Sequence, residues 1–281
     1  MDDELGTEVE ISIACRNLAD TDVLSKSDPG NLFCTGFTSI VVVVFEFCPA
    51  LEDWREIWRS ETIQNNLNPN FSRKLVLQYH FEEQKKLKFA VYDVDDPNEP
   101  LRHQDFLGSC DATLGEIVSV GELERSLRGG PSGNKGTLIL IAEETVTCND
   151  EITLNISAKN LDRKDIIGLS DPFLAFYRLH ENGSVTVAHR TEVIKNTLNP
   201  SWSTMILPVR LLCNGDLNRY VLVFLFYSIH RILRHFSSSA GGYATIEDWS
   251  STINLQQYWA AMVINIMLPR WLKLVEVGLF F

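Results

Sequence analysis

The chain contains the same two phrases twice, and this internal repeat constrains its fold more than any other feature. Residues 22–29 read DVLSKSDP and residues 165–172 read DIIGLSDP. A second phrase follows each copy, ETIQNNLNPNF from Glu61 and EVIKNTLNPSW from Glu192. Self-similarity at this spacing indicates two copies of one structural module. A chain of 281 residues is long enough for two modules that each bury a core.

Short apolar runs bounded by Gly, Asn and Pro predict that both modules are β-rich. Such runs, at regular spacing, are typical of an antiparallel sandwich or barrel. One short helix is predicted at Leu114–Ser119, a turn at Gly129–Gly136, and a boundary between the modules in the acidic stretch Ala142–Asp150. The predicted strands are Glu8–Ala14, Val41–Phe47, Lys74–Tyr79, Lys86–Tyr92, Thr137–Ala142, Ile152–Ala158, Phe173–Tyr177 and Val221–Phe226.

The two copies differ in length and at their ends. Asp171 follows Asp28 by 143 positions, whereas Asn196 follows Asn65 by 131, so the first copy has 12 extra residues between its phrases. These residues are either a long apolar loop or sequence foreign to the module. The second copy is clear to about residue 216 and diverges afterwards, and residues 248–281 are predicted to form an apolar, amphipathic tail.

Composition and motifs narrow the classes of function. The formal net charge of −12 argues against nucleic acid as a partner. The six cysteines are scattered without zinc-site spacing, which indicates free thiols in a reducing compartment. The start is acidic rather than signal-like, and the run Ile40–Phe45 is far shorter than the ~20 residues of a membrane span. GxSxG, HExxH and phosphate-cradling loops are missing, so we expect a cytosolic protein that is not an enzyme.

Acidic residues in the first copy have the pattern of a calcium site. Two unit charges ~4 Å apart repel by about 4 kcal/mol at an effective dielectric constant near 20, so a cluster of carboxylates favours a cation. Calcium accepts ~6–8 oxygen ligands in flexible geometry. The alternative interpretation is that these aspartates are ordinary turn residues. The candidate ligands, which meet if two loops lie side by side at one end of the sandwich, are Asp22, Asp28, Asp93, Asp95 and Asp105.

The second copy repeats only part of this pattern. Asp165 and Asp171 keep the spacing of the first two aspartates, but residues 217–246 contain neither Asp nor Glu. Turn chemistry is therefore the favoured interpretation of these two residues.

Apolar and basic residues near the candidate ligands allow a membrane interpretation. The apolar ones either enter the headgroup region or pack against each other, and the basic ones form either a face for anionic lipid or a solvated strand face. The apolar residues are Val23, Leu24, Pro97, Pro100 and Leu101, and the basic ones are Arg73, Lys74, Lys85, Lys86 and Lys88.

These motifs together resemble the tandem C2 domains of the copine family over most of residues 6–216. The first copy contributes DTDVLSKSDP, YDVDDPNEPLRHQDFLG and DATLGEIV, and the second contributes NLDRKDIIGLSDPFLAFYR, HRTEVIKNTLNPSW and VRLLCNGD. The resemblance implies an all-β protein with two eight-stranded antiparallel C2 sandwiches, residues 6–143 and 150–247. The second sandwich would be incomplete or divergent at its C-terminal end.

The same resemblance implies a function and its ligands. Copines bind phospholipid in a calcium-dependent way in the cytosol and at the plasma membrane. Their calcium ligands correspond to Asp22, Asp28, Asp93, Asp95 and Asp105, and to Asp165 and Asp171 in the second domain. This sequence departs from the family where LFYSI replaces an acidic pair, with Tyr227 and Ile229 at the acid positions, and the von Willebrand factor A-like domain is not among these residues.

Two functional hypotheses follow from the sequence. In the first, calcium switches the first domain onto anionic phospholipid, so that a cytoplasmic protein is recruited to the plasma membrane when calcium rises. In the second, the chain is a calcium-independent interaction module or scaffold for protein partners.

Overall fold

A computed structural model of the chain divides it into two compact units, and the division falls between Thr145 and Val146. The structure describes residues 6–19, 38–94, 96–130, 136–163, 168–180, 183–217, 219 and 221–227, and the backbone of Leu274–Phe280. Across these described ranges, no helix is both long and apolar enough to cross a membrane.

The first unit is a sandwich of two four-stranded antiparallel sheets. One sheet has the order β5-β1-β9-β8 and the other β3-β2-β6-β7, with the short β4 also pairing with β2. Because β3 and β4 pair with different parts of β2, they form one interrupted edge strand, and the predicted eight-stranded sandwich is confirmed. Its strands are β1 Thr7–Arg16, β2 Ser39–Cys48, β3 Asp53–Arg59, β4 Ile63–Gln64, β5 Leu75–Tyr79, β6 Lys86–Asp93, β7 Asp105–Thr113, β8 Glu122–Ser126 and β9 Thr137–Glu144; helix α1 is Leu114–Val120.

The core of the first unit lies between the two sheets. On β6, Leu87, Phe89 and Val91 are fully buried, and the lysines that alternate with them point to the outer face. Successive side chains of a strand point to opposite faces, so this period of two explains why the apolar stretch folds as a half-buried strand.

The second unit has two three-stranded sheets among its described residues, with the orders β13-β10-β15 and β12-β11-β14. Strand β15 runs parallel to β10, whereas every other pair of named strands is antiparallel. Residues 274–280 thus form a strand rather than the end of an amphipathic tail. The elements are β10 Glu151–Lys159, β11 Pro172–Leu179, β12 Val185–Arg190, β13 Met205–Pro208, helix α2 Val209–Cys213, β14 Val221–Tyr227 and β15 Leu274–Phe280.

The repeated phrase containing Asn-Pro has a structural role in both units. The side-chain oxygen of Asn68 accepts a hydrogen bond from the Asn17 backbone at 2.8 Å, and Asn199 accepts the same bond from Asn160 at 2.9 Å. The backbone of the phrase continues this pairing, since Leu67 and Leu198 each accept from a leucine N–H of the facing strand end. The phrase therefore ties the ends of β1 and β10 to the rest of their sandwiches.

These matched contacts locate the extra residues of the first unit. Leu161 follows Leu18 by 143 positions, but Leu174 follows Val42 by only 132, and both pairs make equivalent backbone hydrogen bonds. Hence 11 of the 12 extra residues lie between Leu18 and Val42, in front of or at the start of β2.

Candidate metal centre

Asp93 is the last residue of β6, and its carboxylate is buried at the end of the sandwich. It has the same strand parity as Phe89 and Val91, so it points to the inner side of the sheet, and it is only 2% exposed. One carboxylate oxygen accepts a hydrogen bond from the Ser39 backbone N–H at 2.5 Å. A carboxylate at this depth is unusual, because Asp is almost never fully buried without partners.

Asp105 begins β7 and lies directly opposite Asp93 in the register of the two strands. Opposed side chains on antiparallel strands have Cβ atoms ~4.5–5.5 Å apart, and like charges at that position are destabilising. Unlike Asp93, Asp105 is exposed. The structure therefore brings two of the five predicted ligands together, one buried and one exposed.

A β-bulge beside these acids requires a glycine. The register between β6 and β7 shifts between Val91 and Tyr92, opposite Gly108, which has φ +139°. A Cβ on Gly108 would lie 2.9 Å from the Leu127 Cβ and 3.2 Å from the Arg128 carbonyl oxygen. The unpaired extra residue is Leu107 on β7, so the bulge re-aims the side chains of β7 next to it, on the strand that begins at Asp105. Burial raises the pKa of the adjacent Tyr92, so its hydroxyl stays neutral.

The loop from β6 to β7 is held by its own hydrogen bonds. The buried Gln104 donates from its amide nitrogen to the carbonyl oxygens of Asp96 at 2.7 Å and Glu99 at 3.1 Å. The exposed His103 bonds Glu99 at 2.8 Å, as expected for a surface histidine rather than a ligand. Gln104 immediately precedes Asp105, so this network fixes the backbone from which the exposed acid projects. Nothing in the sequence pattern pointed to Gln104.

Four predicted ligands lie outside the described residues: Asp22, Asp28, Asp95 and, in the second unit, Asp165. Their roles stay predictions. Within the part of the chain that the structure describes, no three His, Cys, Asp or Glu side chains gather as a group able to hold a metal ion.

Comparison of the two units shows what the extra residues change. Ile40 pairs with Asp93, and Pro172 pairs with Tyr227, so Ser39 is equivalent to Asp171. In the second unit, therefore, the acid Asp171 directly precedes β11, and Tyr227 is the last residue of β14. The first unit has the reverse, with a serine as the first residue of β2 and an acid at the end of β6.

Asp171 has a structural role in the second unit. It is buried, and one of its oxygens accepts a hydrogen bond from the Asn196 backbone at 2.6 Å. The Asn196 side chain in turn accepts a hydrogen bond from Leu169 N at 2.7 Å, and Asn196 has the left-handed φ of +54°. These two bonds fasten the backbone in front of β11.

A scan against protein-family models matches residues 8–128 and 152–235 to the C2 domain. The chain belongs to the C2 domain family. Among solved structures it is similar to the calcium-bound pair of C2 domains from Extended-Synaptotagmin 2, with 17% identity, coverage of 79% of this chain and 78% of that chain, and a TM-score of 0.36. BON1-C2B gives 18% identity over 51% of this chain and 94% of that chain, with a TM-score of 0.36. Human GIVD cytosolic phospholipase A2 gives 12% identity over 82% of this chain and 27% of that chain, with a TM-score of 0.33.

The basic residues of the first C2 unit do not form one continuous face. Lys86 and Lys88 lie on the outer face of β6, where their Nζ atoms stand 5.8 Å and 4.2 Å from the ring centroids of Phe47 and Trp54. Lys74 instead donates to the Ser12 hydroxyl. Two further residues are also engaged elsewhere, because Lys85 contacts Glu46 and Glu83, and Arg73 lies over Trp58. Of these basic residues, Lys86 and Lys88 share the outer face of one strand, and both interpretations, a face for anionic lipid or a solvated strand face, stay predictions.

The apolar residues near the candidate ligands also differ in their exposure. Pro97 and Pro100 are exposed and Leu101 is half-buried, while Val23 and Leu24 lie outside the described residues. The exposed prolines keep the headgroup interpretation open for the loop between β6 and β7.

Proposed function

We propose that the chain binds anionic phospholipid in a calcium-dependent way through its first C2 unit. The observation that carries the proposal is the pairing of Asp93, buried at the end of β6, with the exposed Asp105 directly across from it. Calcium at this end would offset the repulsion between the two carboxylates. Its remaining coordination positions could then accept lipid phosphate oxygens.

The remaining ligands come from the sequence prediction. Asp22, Asp28 and Asp95 would complete an oxygen shell of the size that calcium prefers. In the strand register the residue directly equivalent to Asp171 is Ser39, so the part given to Asp28 is supported by the sequence motif alone.

The membrane would contact the tip of the first unit rather than its basic face. Lys86 lies seven residues before Asp93 on β6, which is about 23 Å at ~3.3 Å per residue. The Debye length is ~8 Å at physiological ionic strength, so a bilayer touching the tip end-on is screened from Lys86. The proposal therefore assigns binding to the carboxylates and gives the two lysines a minor part.

The second C2 unit is proposed to be a calcium-independent interaction module. Tyr227 occupies the strand position equivalent to Asp93, and Asp171 is bonded to the Asn196 backbone. This arrangement favours the scaffold hypothesis for that unit. Membership of the copine family and recruitment to the plasma membrane are likewise proposals, supported by the sequence motifs of both copies.

Co-sedimentation with phosphatidylserine vesicles, in calcium or in chelator, tests the proposal. Asp93→Asn keeps the oxygen that accepts from Ser39 but removes the charge, so calcium-dependent sedimentation should be lost. Asp53→Asn is the matched control, because Asp53 is an exposed acid at the opposite end of the same sheet. Binding that persists in chelator, or that survives in Asp93→Asn, would show that the membrane contact does not depend on this site.

A further inference from the structure

Two short segments of the second unit lie side by side, and each contains a cysteine. The Val146 backbone N–H donates to the Asn214 side-chain oxygen at 3.2 Å, and the Val209 N–H donates to the Asp150 carbonyl at 2.8 Å. A Cβ built on Gly215 would lie 3.3 Å from the Cβ of Cys148. Residues 146–148 are therefore in contact with the three residues that begin at Cys213.

The two thiols differ in their access to solvent. Cys148 is half-buried and packs against the core of the second unit, to which the fully buried Cys213 belongs. The Cys213 thiol donates to the Val209 carbonyl at 3.4 Å. Burial raises the pKa of Cys213, and the nearby Cys148 adds to this rise, whereas the Gly215 N–H and the Arg178 guanidinium oppose it. The first thiol is open to a small oxidant, and the second is protected from it.

We propose that Cys148 and Cys213 are a peroxide-sensitive thiol pair that closes to a disulfide. The Cys148 thiol gives up its proton and its sulfur attacks one oxygen of hydrogen peroxide; the O–O bond breaks, and the leaving hydroxide takes up that proton as water, which gives a sulfenic acid. The Cys213 thiol then loses its proton as its sulfur attacks the sulfenic sulfur; the S–O bond breaks, and the hydroxyl group leaves with that proton as water. In total, two thiols and one peroxide give one disulfide and two waters, so that the sulfurs are oxidised and the peroxide is reduced.

The bond would restrain the second unit. A disulfide needs Cα atoms ~4.4–6.8 Å apart, so the end of α2 must turn its buried thiol toward residue 148. Helix α2 has only five residues and ends at Cys213, and the next residue, Asn214, has a left-handed φ of +51°, so little regular structure has to change. Closing the chain from Cys148 to Cys213 encloses β10 to β13 and limits the unfolded ensemble. Oxidation should therefore raise the melting temperature of this unit.

Peptide mapping of the full-length chain tests the pair. The reduced protein is treated with a small excess of hydrogen peroxide, remaining thiols are alkylated after unfolding, and the digest is analysed without reductant. We expect one linked peptide pair that contains Cys148 and Cys213. Cys48 is the matched control, because it is equally half-buried but lies in the other unit; it should stay unlinked.

The variants Cys148→Ser and Cys213→Ala separate the pair from general oxidation. Each should abolish the linked peptide and the rise in melting temperature on oxidation, while both folded proteins keep their cooperative transition. Should a variant fail to fold, the wild-type map decides alone. Oxidation of Cys148 to sulfinic acid with Cys213 fully alkylated, or linkage of Cys148 to another cysteine, would overturn the proposal.

Discussion

Replacing Gly108 with alanine tests how the bulge beside Asp93 is built. At φ +139° a side chain costs about 1–3 kcal/mol in backbone strain. The added Cβ also approaches the Leu127 Cβ to 2.9 Å, and such overpacking costs a further ~1–3 kcal/mol. We expect Gly108→Ala to destabilise the first unit by about 2–6 kcal/mol, a large part of the ~5–15 kcal/mol of an ordinary domain.

Gly121→Ala is the matched control for this change. Gly121 also has a positive φ, +75°, but a Cβ there meets no atom within 4 Å. Its substitution should therefore cost only the strain, about 1–2 kcal/mol. Hydrogen exchange of peptides from β6 and β7, measured on the full chain in increasing urea, gives the loss in free energy of unfolding for each variant. If the two variants lose the same stability, the steric explanation of Gly108 is wrong.

Three further predictions concern buried polar and titratable groups. Arg178 is 1% exposed and donates to two carbonyls of α2, so Arg178→Ala should cost the second unit about 3–5 kcal/mol in urea unfolding; a loss below about 1 kcal/mol would contradict this. Burial raises the pKa of Cys110 to about 12 and raises that of Cys15 further, so native protein should be alkylated at Cys48 long before either. Burial lowers the pKa of His189 in the folded state. Its contribution to the free energy of unfolding is therefore fully present above its ordinary pKa of ~6.5 and is lost as the pH falls below that value. His189→Gln should flatten that decline, and an unchanged profile would exclude this residue as its source.

The sequence predicted strands from segments whose apolar residues alternate or form a continuous run, and it missed several other strands. All eight predicted strands and the helix at Leu114 are present in the structure. Strand β3 was missed, because its residues Asp53–Arg59 are mostly exposed and charged at the edge of a sheet. Strand β15 was missed because Leu274–Phe280 lies in the stretch that was predicted to be an apolar, amphipathic tail.

The candidate site could be predicted only in part for a related reason. Asp93 and Asp105 were predicted as ligands from the sequence, and the strand register places them opposite each other, while their role as ligands stays a prediction. The equivalence of Ser39 with Asp171 depends on the position of the extra residues in the first unit. The difference in spacing between the repeated phrases gives the number of these residues but not their position. The role of Gln104 depends on side-chain hydrogen bonds inside one loop, and residue spacing does not encode them.

Calcium titration by calorimetry tests the central claim most directly. The full chain should bind calcium with a measurable isotherm, which Asp93→Asn and Asp105→Asn each abolish or weaken at least tenfold. Asp53→Asn and Asp171→Asn should leave the isotherm unchanged, since the first lies at the other end of the sheet and the second has a structural role. An isotherm that survives in Asp93→Asn, or one that disappears in Asp171→Asn, would contradict calcium binding at the first C2 unit.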